Sequence, residues 1–517
     1  MVSRRDQFDA FLFARRRVVA AFLQADPVGT EEAAPRPLKN FLGSIGLAVA
    51  ILAGVAFYAA ITSSPTNWKA GGQIVVSKET GARYVYGMDN KLHPVLNTAS
   101  ARLLSNPGKG GVAQVVVVKQ KAIDQSDLGS PVGILSAPET IPSRDALANT
   151  GWIACSQPTR NGRSQTSLFV GERPRPNVLK SNEALIVRNA DDSAHRTWLL
   201  ANGRRFEFDS GKLAVIFDTS QVQEVSGAWL ATIPEDRSLR DLGVPADLGQ
   251  PLGEHSQLPK QFTTVGQLGK VLGQPSYLIA TKQGGLPIRP IVAKLLLTDP
   301  QIAELAYRKQ NRQPEFIQLA AEEFTKAQTE NPAVRHTEKW PTGDPPVLLN
   351  AGPNARSKQA LCVTFESMDK DGRASFLLSA GPEIPDMRNQ RPQDRGSAAL
   401  AVADLVNVAS SRGALVREQL PDNSAESIFL VTQPGYRYRI TNNKFEIPNP
   451  VVDGVEGQNS GTSVLDAVQR LGFEHSHVTL IPKAWLDLLE KGPALDSKSA
   501  GVNIGPGAGQ QAPQSGQ

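Results

Sequence analysis

The chain has 517 residues, 40 % of them apolar and 20 % charged, which supplies enough apolar material for buried cores and excludes wholesale disorder. At a usual ~100–200 residues per domain, the length predicts about three domains. The 44 Gly and 37 Pro favour turns and short strands over long helices, and 55 bases against 50 acids, with one short basic cluster, argue against a nucleic-acid partner.

The first predicted element is a helix. Phe8, Phe11, Leu12, Val19, Phe22 and Leu23 recur at the spacing of one helical face. Arg15 interrupts that face, and Arg15, Arg16 and Arg17 make a local basic block. Such a helix suits the anionic lipid of an inner leaflet or docking on a cytoplasmic partner; both readings stay open. Ala33 to Pro37 breaks the chain before the next element.

Phe41 to Ile61 follows, 21 residues without a charge. At 1.5 Å per residue it covers ~31 Å, the thickness of a bilayer core, and Tyr58 and Trp68 suit the aromatic belt. The alternatives are a core helix or a signal peptide, but a signal peptide carries its apolar region close to Met1. Arg4, Arg5, Arg15, Arg16, Arg17, Arg36 and Lys39 precede the segment. A long domain translocates largely regardless of its own charge, so the short N-flank is expected to be cytoplasmic and the remainder exported.

Beyond the span, four segments read as strand, turn, strand and helix: Tyr84–Leu96, Trp198–Phe208, Tyr277–Ile288 and Ile428–Ile440. Asn202-Gly203 in the second is the strongest short hairpin signal. A second echo sets Trp229-Leu230 before Leu239, and Trp485-Leu486 before Leu495 at equal spacing. Two families of echo in one order predict duplicated ββα-type units. Between them, Val112–Ala122, Cys155–Leu168, Pro346–Asn350 and Ala360–Leu378 read as a separate central β-domain. Pro300–Glu330 reads as a helical excursion, with Leu305, Ile317, Leu319 and Phe324 apolar. The end of the chain, rich in Gly, Pro, Gln and Ser, reads as unstructured.

Cys155 and Cys362 are the two cysteines, both in strand-like settings and both on the expected exported side. That context favours a disulfide; the alternative is two separately buried thiols. No GxxxxGK[ST] phosphate loop, GxSxG elbow or HExxH occurs. Asp369-Lys370-Asp371-Gly372 fits a charged turn better than a calcium loop, because Leu378 stands where a bidentate Glu belongs. His475 and His477 have no third ligand in sight. No catalytic residue, metal ligand or cofactor site is nominated.

Three stretches bear on family. RRDQFDAFLFARR at the start, WKAGGQIVVSKETGARYVY (Trp68 to Tyr86) with KLHPVLNTASARLL (Lys91 to Leu104), and LGFEHSHVTLIPKAWLDLLEKGPALD (Leu471 to Asp496) resemble the EccB family of type VII (ESX) secretion. The resemblance covers nearly the whole chain. It implies a single-pass membrane protein with an α+β periplasmic region, four ββα-like repeats around a central β-domain closed by Cys155 and Cys362. The expected organisation is a cytoplasmic helix and linker over 1–40, the span over 41–61, and repeats over 62–111, 182–270, 271–335 and 396–496. The central β-domain falls on 112–181 and 336–395, and the unstructured tail on 497–517.

The resemblance implies a structural subunit of an inner-membrane secretion complex. Its partners would be EccC, EccD and EccE type subunits, the mycosin protease, lipid and other copies of itself. Two other functions compete: an ATPase of the same system, and a membrane-anchored module that binds cell wall.

Overall fold

The computed structural model describes residues 3–23, parts of 44–53, 68–69, and 71–504 less a number of loops, the longest being 330–339, 352–358, 382–401, 420–426 and 443–465. The chain divides into two units, Met1–Trp68 and Lys69–Gln517.

The first unit holds a helix over Arg4–Leu23. Ser3 opens it: its hydroxyl accepts from Arg5 N–H (3.3 Å), while the Asp6 carboxylate accepts from Ser3 N–H (3.2 Å). The expected span at Phe41–Ile61 lies largely outside the described residues; 44–45, 47–49 and 51–53 within it are helical. Among the described residues no helix is long and apolar enough to cross a membrane.

Among the described residues the second unit holds five sheets. Strands β1 (Ile74–Ser77), β2 (Arg83–Tyr86), β3 (Leu92–Pro94) and β4 (Val115–Val118) form the first, in the order β3-β2-β1-β4. The helix Thr98–Leu104 carries the chain from β3 round to β4, which returns parallel to β1. The Val run therefore belongs to this sheet, not to the central β-domain expected for it. A four-residue β-branched run is strand-like anywhere, and its partner is chosen by the crossover.

Next come β5 (Trp152–Pro158) and β6 (Ser164–Val170), an antiparallel pair. The second sheet takes β7 (Glu183–Asn189), β8 (Thr197–Ala201), β9 (Arg204–Phe208) and β10 (Gln223–Val225), in the order β10-β7-β8-β9. Its hairpin turns at Asn202 and Gly203, with φ of 49° and 73°, as the dipeptide predicts. A Cβ on Gly203 would lie 2.4 Å from the Phe376 carbonyl oxygen, so glycine is needed for both turn and approach.

The third sheet repeats the connectivity with β11 (Leu268–Val271), β12 (Tyr277–Ala280), β13 (Gly285–Ile288) and β14 (Ile317–Leu319). Pro290–Leu297 is its crossover helix. Ile317 and Leu319 thus sit in a strand parallel to β11, within the stretch expected to be helical. Apolar residues two apart are a strand period, which a wide helical window hides. β15 (Val347–Leu348) extends the second sheet beside β7, correcting its expected place in the central domain.

The central sheet runs β17-β16-β5-β6-β18, adding β16 (Leu361–Met368), β17 (Ala374–Ala380) and β18 (Leu405–Val408). β18 lies in the stretch expected to belong to the fourth repeat, yet it pairs parallel to β6. The fourth sheet uses β19 (Ala414–Gln419), β20 (Ile428–Val431), β21 (Tyr436–Ile440), β22 (Thr479–Pro482) and β23 (Glu490–Lys491), in the order β22-β19-β20-β21-β23. The four outer sheets share one connectivity: an antiparallel triplet, a crossover, and a fourth strand parallel to the first.

The largest core joins three of these sheets. Trp152, Leu168 and Phe365 from the central sheet meet Leu185 and Trp198 of the second and Val416 and Ile481 of the fourth. Ile186 and Leu199, on the other face of the second sheet, pack with Leu268, Ile279 and Ile291 of the third. A sheet buried on both faces explains why EALIVRN and TWLLA read as continuous apolar runs. The expected unstructured tail is also corrected. Ser497–Ala500 is a helix capped by the Asp496 side chain, and Ala500 is fully buried against Ala99 and Leu103. Residues 505–517 lie outside the described residues.

Candidate functional sites

Cys155 and Cys362 face each other directly across β5 and β16, with Cα atoms 4.1 Å apart, and form a disulfide. Strand alternation sets its surroundings. Ile153, Cys155 and Phe169 point to one face with Leu405 packed on them, while Trp152, Ala154 and Leu168 point to the large core. Both sulfur-bearing residues are buried, at 0 % and 1 % exposure, so the bond is closed to solvent.

The N-terminal helix leaves most of its proposed docking residues exposed. Phe8, Phe11 and Phe22 are 61 %, 63 % and 88 % exposed, Val19 is exposed and Leu12 partly so. Arg15, Arg16 and Arg17 are exposed too; Leu23 ends the helix. Phe13 and Val18, missed in the sequence reading, are equally exposed, and Phe13 lies on the opposite side of the helix from Phe8. The apolar stripe is therefore wider than one narrow face.

Within the second unit, buried polar side chains tie the sheets together. The Trp229 indole donates to the Ala154 carbonyl (2.9 Å), and that of Trp485 to the Thr232 carbonyl (3.1 Å). The paired Trp-Leu echo of the sequence thus marks two helices, Gly227–Ala231 and Lys483–Asp487, each docked through an indole.

Two arginines make a reciprocal exchange. Arg102 donates to the Leu471 carbonyl at the end of the helix Ala467–Arg470 (2.7 Å). Arg470, buried, donates to the Ser105 carbonyl (2.8 Å) and Asn106 Oδ1 (3.1 Å) at the end of the helix Thr98–Leu104. Each guanidinium sits where a helix gathers negative potential. Ser497 Oγ adds a bond to the Leu103 carbonyl (3.0 Å). Sequence reasoning had no signal for this, because partners hundreds of residues apart leave no local pattern.

Two carboxylates are held by cations. Asp487 accepts from Arg437 (2.9 Å) and from Lys483; burial raises its carboxyl, but these partners outweigh that and hold it below the usual range. Asp344 pairs with Lys294 (2.9 Å) and accepts from Tyr277 Oη (2.7 Å). Burial acts upward on Asp344 and the two partners prevail downward, while burial and the carboxylate push the Tyr277 phenol up.

The histidines weighed as metal ligands are engaged locally. His475 pairs with Asp466, which also caps the helix Ala467–Arg470, and His477 Nδ1 accepts from Glu474 N–H (3.0 Å). Among the described residues no group of three His, Cys, Asp or Glu could hold a metal ion.

A family model described as "Type VII secretion system ESX-1, transport TM domain B" matches residues 1–505. A relative named ESX-3 secretion system ATPase EccB3, from Mycobacterium tuberculosis, is 25 % identical over 527 residues, covering 96 % of this chain and 88 % of its own. The protein of that name from Mycolicibacterium smegmatis is 30 % identical over 156 residues, 29 % of each chain. Among solved structures, a chain of an intact ESX-5 inner membrane complex aligns at a TM-score of 0.60 and 21 % identity, over 98 % of this chain and 96 % of that one. A chain of the EccB3 dimer from the ESX-3 core complex aligns at 0.61 and 21 % identity, over 83 % of this chain and 100 % of that one. These structural likenesses show the fold.

Proposed function

The chain belongs to the EccB family of type VII secretion, and from that premise we propose that it is a structural subunit of an inner-membrane secretion complex, working by contact and position. The family match over residues 1–505 carries the reading. In it, residues 1–40 are cytoplasmic, 41–61 cross the membrane once, and the rest is periplasmic. Exposed apolar side chains at Leu47, Val49, Ile51 and Leu52 support a lipid setting for the middle segment. A closed disulfide in the second unit supports an oxidising compartment for it. The shared connectivity of the outer sheets supports four repeats of one unit.

Partners on this reading are EccC, EccD and EccE type subunits, the mycosin protease and a second copy of the chain. The dimeric state of a solved relative supports the last. Tagged full-length chain, purified from native membranes in mild detergent, should bring these subunits with it; recovery of the chain alone contradicts the proposal. The word ATPase in the relatives' name makes nucleotide hydrolysis the second reading. ATP turnover by the purified full chain, abolished by a single substitution in it, would favour that reading over the first.

A further inference from the structure

His93, in the Lys91–Leu104 stretch that carries part of the family resemblance, stands in β3 with a ring clasped between two backbones. A Cβ on Gly87 would lie 2.8 Å from the ring Cδ2, and one on Gly129 2.3 Å from Cε1. Ring nitrogen Nδ1 lies 2.8 Å from the Ser130 carbonyl oxygen, and Nε2 lies 2.9 Å from Asp89 Oδ1. A carbonyl and a carboxylate only accept. Both contacts are hydrogen bonds only when both ring nitrogens carry a proton, which is the imidazolium form. A neutral ring bonds one partner and turns a lone pair on the other.

Among the described residues, the charged group bonded to the ring is Asp89, from the β2–β3 turn. The 127–133 segment contributes the Ser130 carbonyl, and its Asp127 offers its own carbonyl to Leu92 N–H (2.8 Å). Slight burial acts upward on the Asp89 carboxyl, but the bond from His93 holds it below its ordinary value. The same segment pairs with β3 and seats residues 502–504. Val132 N–H bonds the Pro94 carbonyl (2.9 Å), Gly133 N–H the Val502 carbonyl (3.3 Å), and Ile504 N–H the Pro131 carbonyl (3.0 Å).

We propose that His93 is a proton-dependent latch: its doubly protonated ring fastens segment 127–133 to β3, and through it the seat of the C-terminal residues 502–504. The two ring bonds add to backbone bonds that already pair the segment with β3 and its flank, among them Gly129 N–H to the Leu92 carbonyl (3.0 Å) and Leu96 N–H to the Val132 carbonyl (3.1 Å); in acid the doubly protonated ring makes both, and a ring with one proton keeps one. Hydrogen exchange of the full chain in lipid nanodiscs at pH 5.5 and 8, corrected for intrinsic rates, tests this. Peptides covering 125–133 and 498–504 should lose protection about fivefold to tenfold at the higher pH, the scale of one bond to a charged group at a partly exposed site. Peptides from the third sheet, 268–288, should not change. In Asp89→Asn the side-chain amide can accept from a protonated ring or donate to a neutral one, so protection there should be equal at both pH values. A flat wild-type profile, or an Asp89→Asn protein with the wild-type loss, overturns the latch. Spectra of 15N-histidine-labelled wild type add a test without mutation: His93 must carry both protons at pH 5.5, and a neutral ring there overturns the proposal.

Discussion

Cys155 and Cys362 face one another across strands whose ladder already sets them side by side, so the bond chiefly restrains the unfolded chain, closing a loop of 207 residues. Loop-closure entropy sets a ceiling of about 5 kcal/mol, and removal of native disulfides commonly costs about 2–5 kcal/mol. Replacing both cysteines by Ala should lower the denaturant midpoint accordingly; an unchanged midpoint contradicts the account. Asp487 yields a pH-resolved prediction. Its carboxyl is held low in the folded protein by Lys483 and Arg437, so its stabilisation is complete above the unfolded value of ~3.9 and lost as pH falls through the folded one. Asp487→Asn should therefore destabilise by about 1–2 kcal/mol at pH 7, with the deficit shrinking in acid, as followed by unfolding at each pH. At this scale the sequence was legible where chemistry is local or scarce. Asn202-Gly203 carried its turn, and two cysteines left one possible pairing. Arg470 was not legible: its acceptors at Ser105 and Asn106 lie in the first sheet's crossover, beyond any local pattern.

Elements show the same division. The hairpins of the outer sheets were readable because neighbours in sequence are neighbours in the sheet. The fourth strands were not. β4, β14 and β22 each return parallel to a first strand after a crossover, and a short apolar run carries no mark of which sheet it will join. The C-terminal helix was hidden for a different reason. Its composition is polar and small, and it is ordered by tertiary contact: Ala500 is buried, Ser497 bonds Leu103, and Asp496 caps the first turn. Removing residues 496–517 should cost about 2–3 kcal/mol, the sum of a lost cap, a buried hydroxyl bond and a small apolar contact. A thermal midpoint equal to that of the full chain would show that these contacts contribute nothing.

At the scale of the molecule, each unit has a task on the proposed reading. The helix Arg4–Leu23 keeps its large apolar side chains exposed beside three arginines, a combination suited to a cytoplasmic partner or to the lipid surface. Deleting residues 4–24 should leave the second unit folded, by its protease resistance, while weakening association with the EccC type subunit. Unaltered association and secretion would reduce the helix to a surface anchor. The central claim is that the chain holds a membrane assembly together, and native gel electrophoresis of mildly solubilised membranes from cells with and without this chain tests it most directly. The account predicts one large band containing EccC, EccD and EccE type subunits that collapses to smaller species without the chain and returns when it is restored. A large band that persists at the same size without the chain would contradict it.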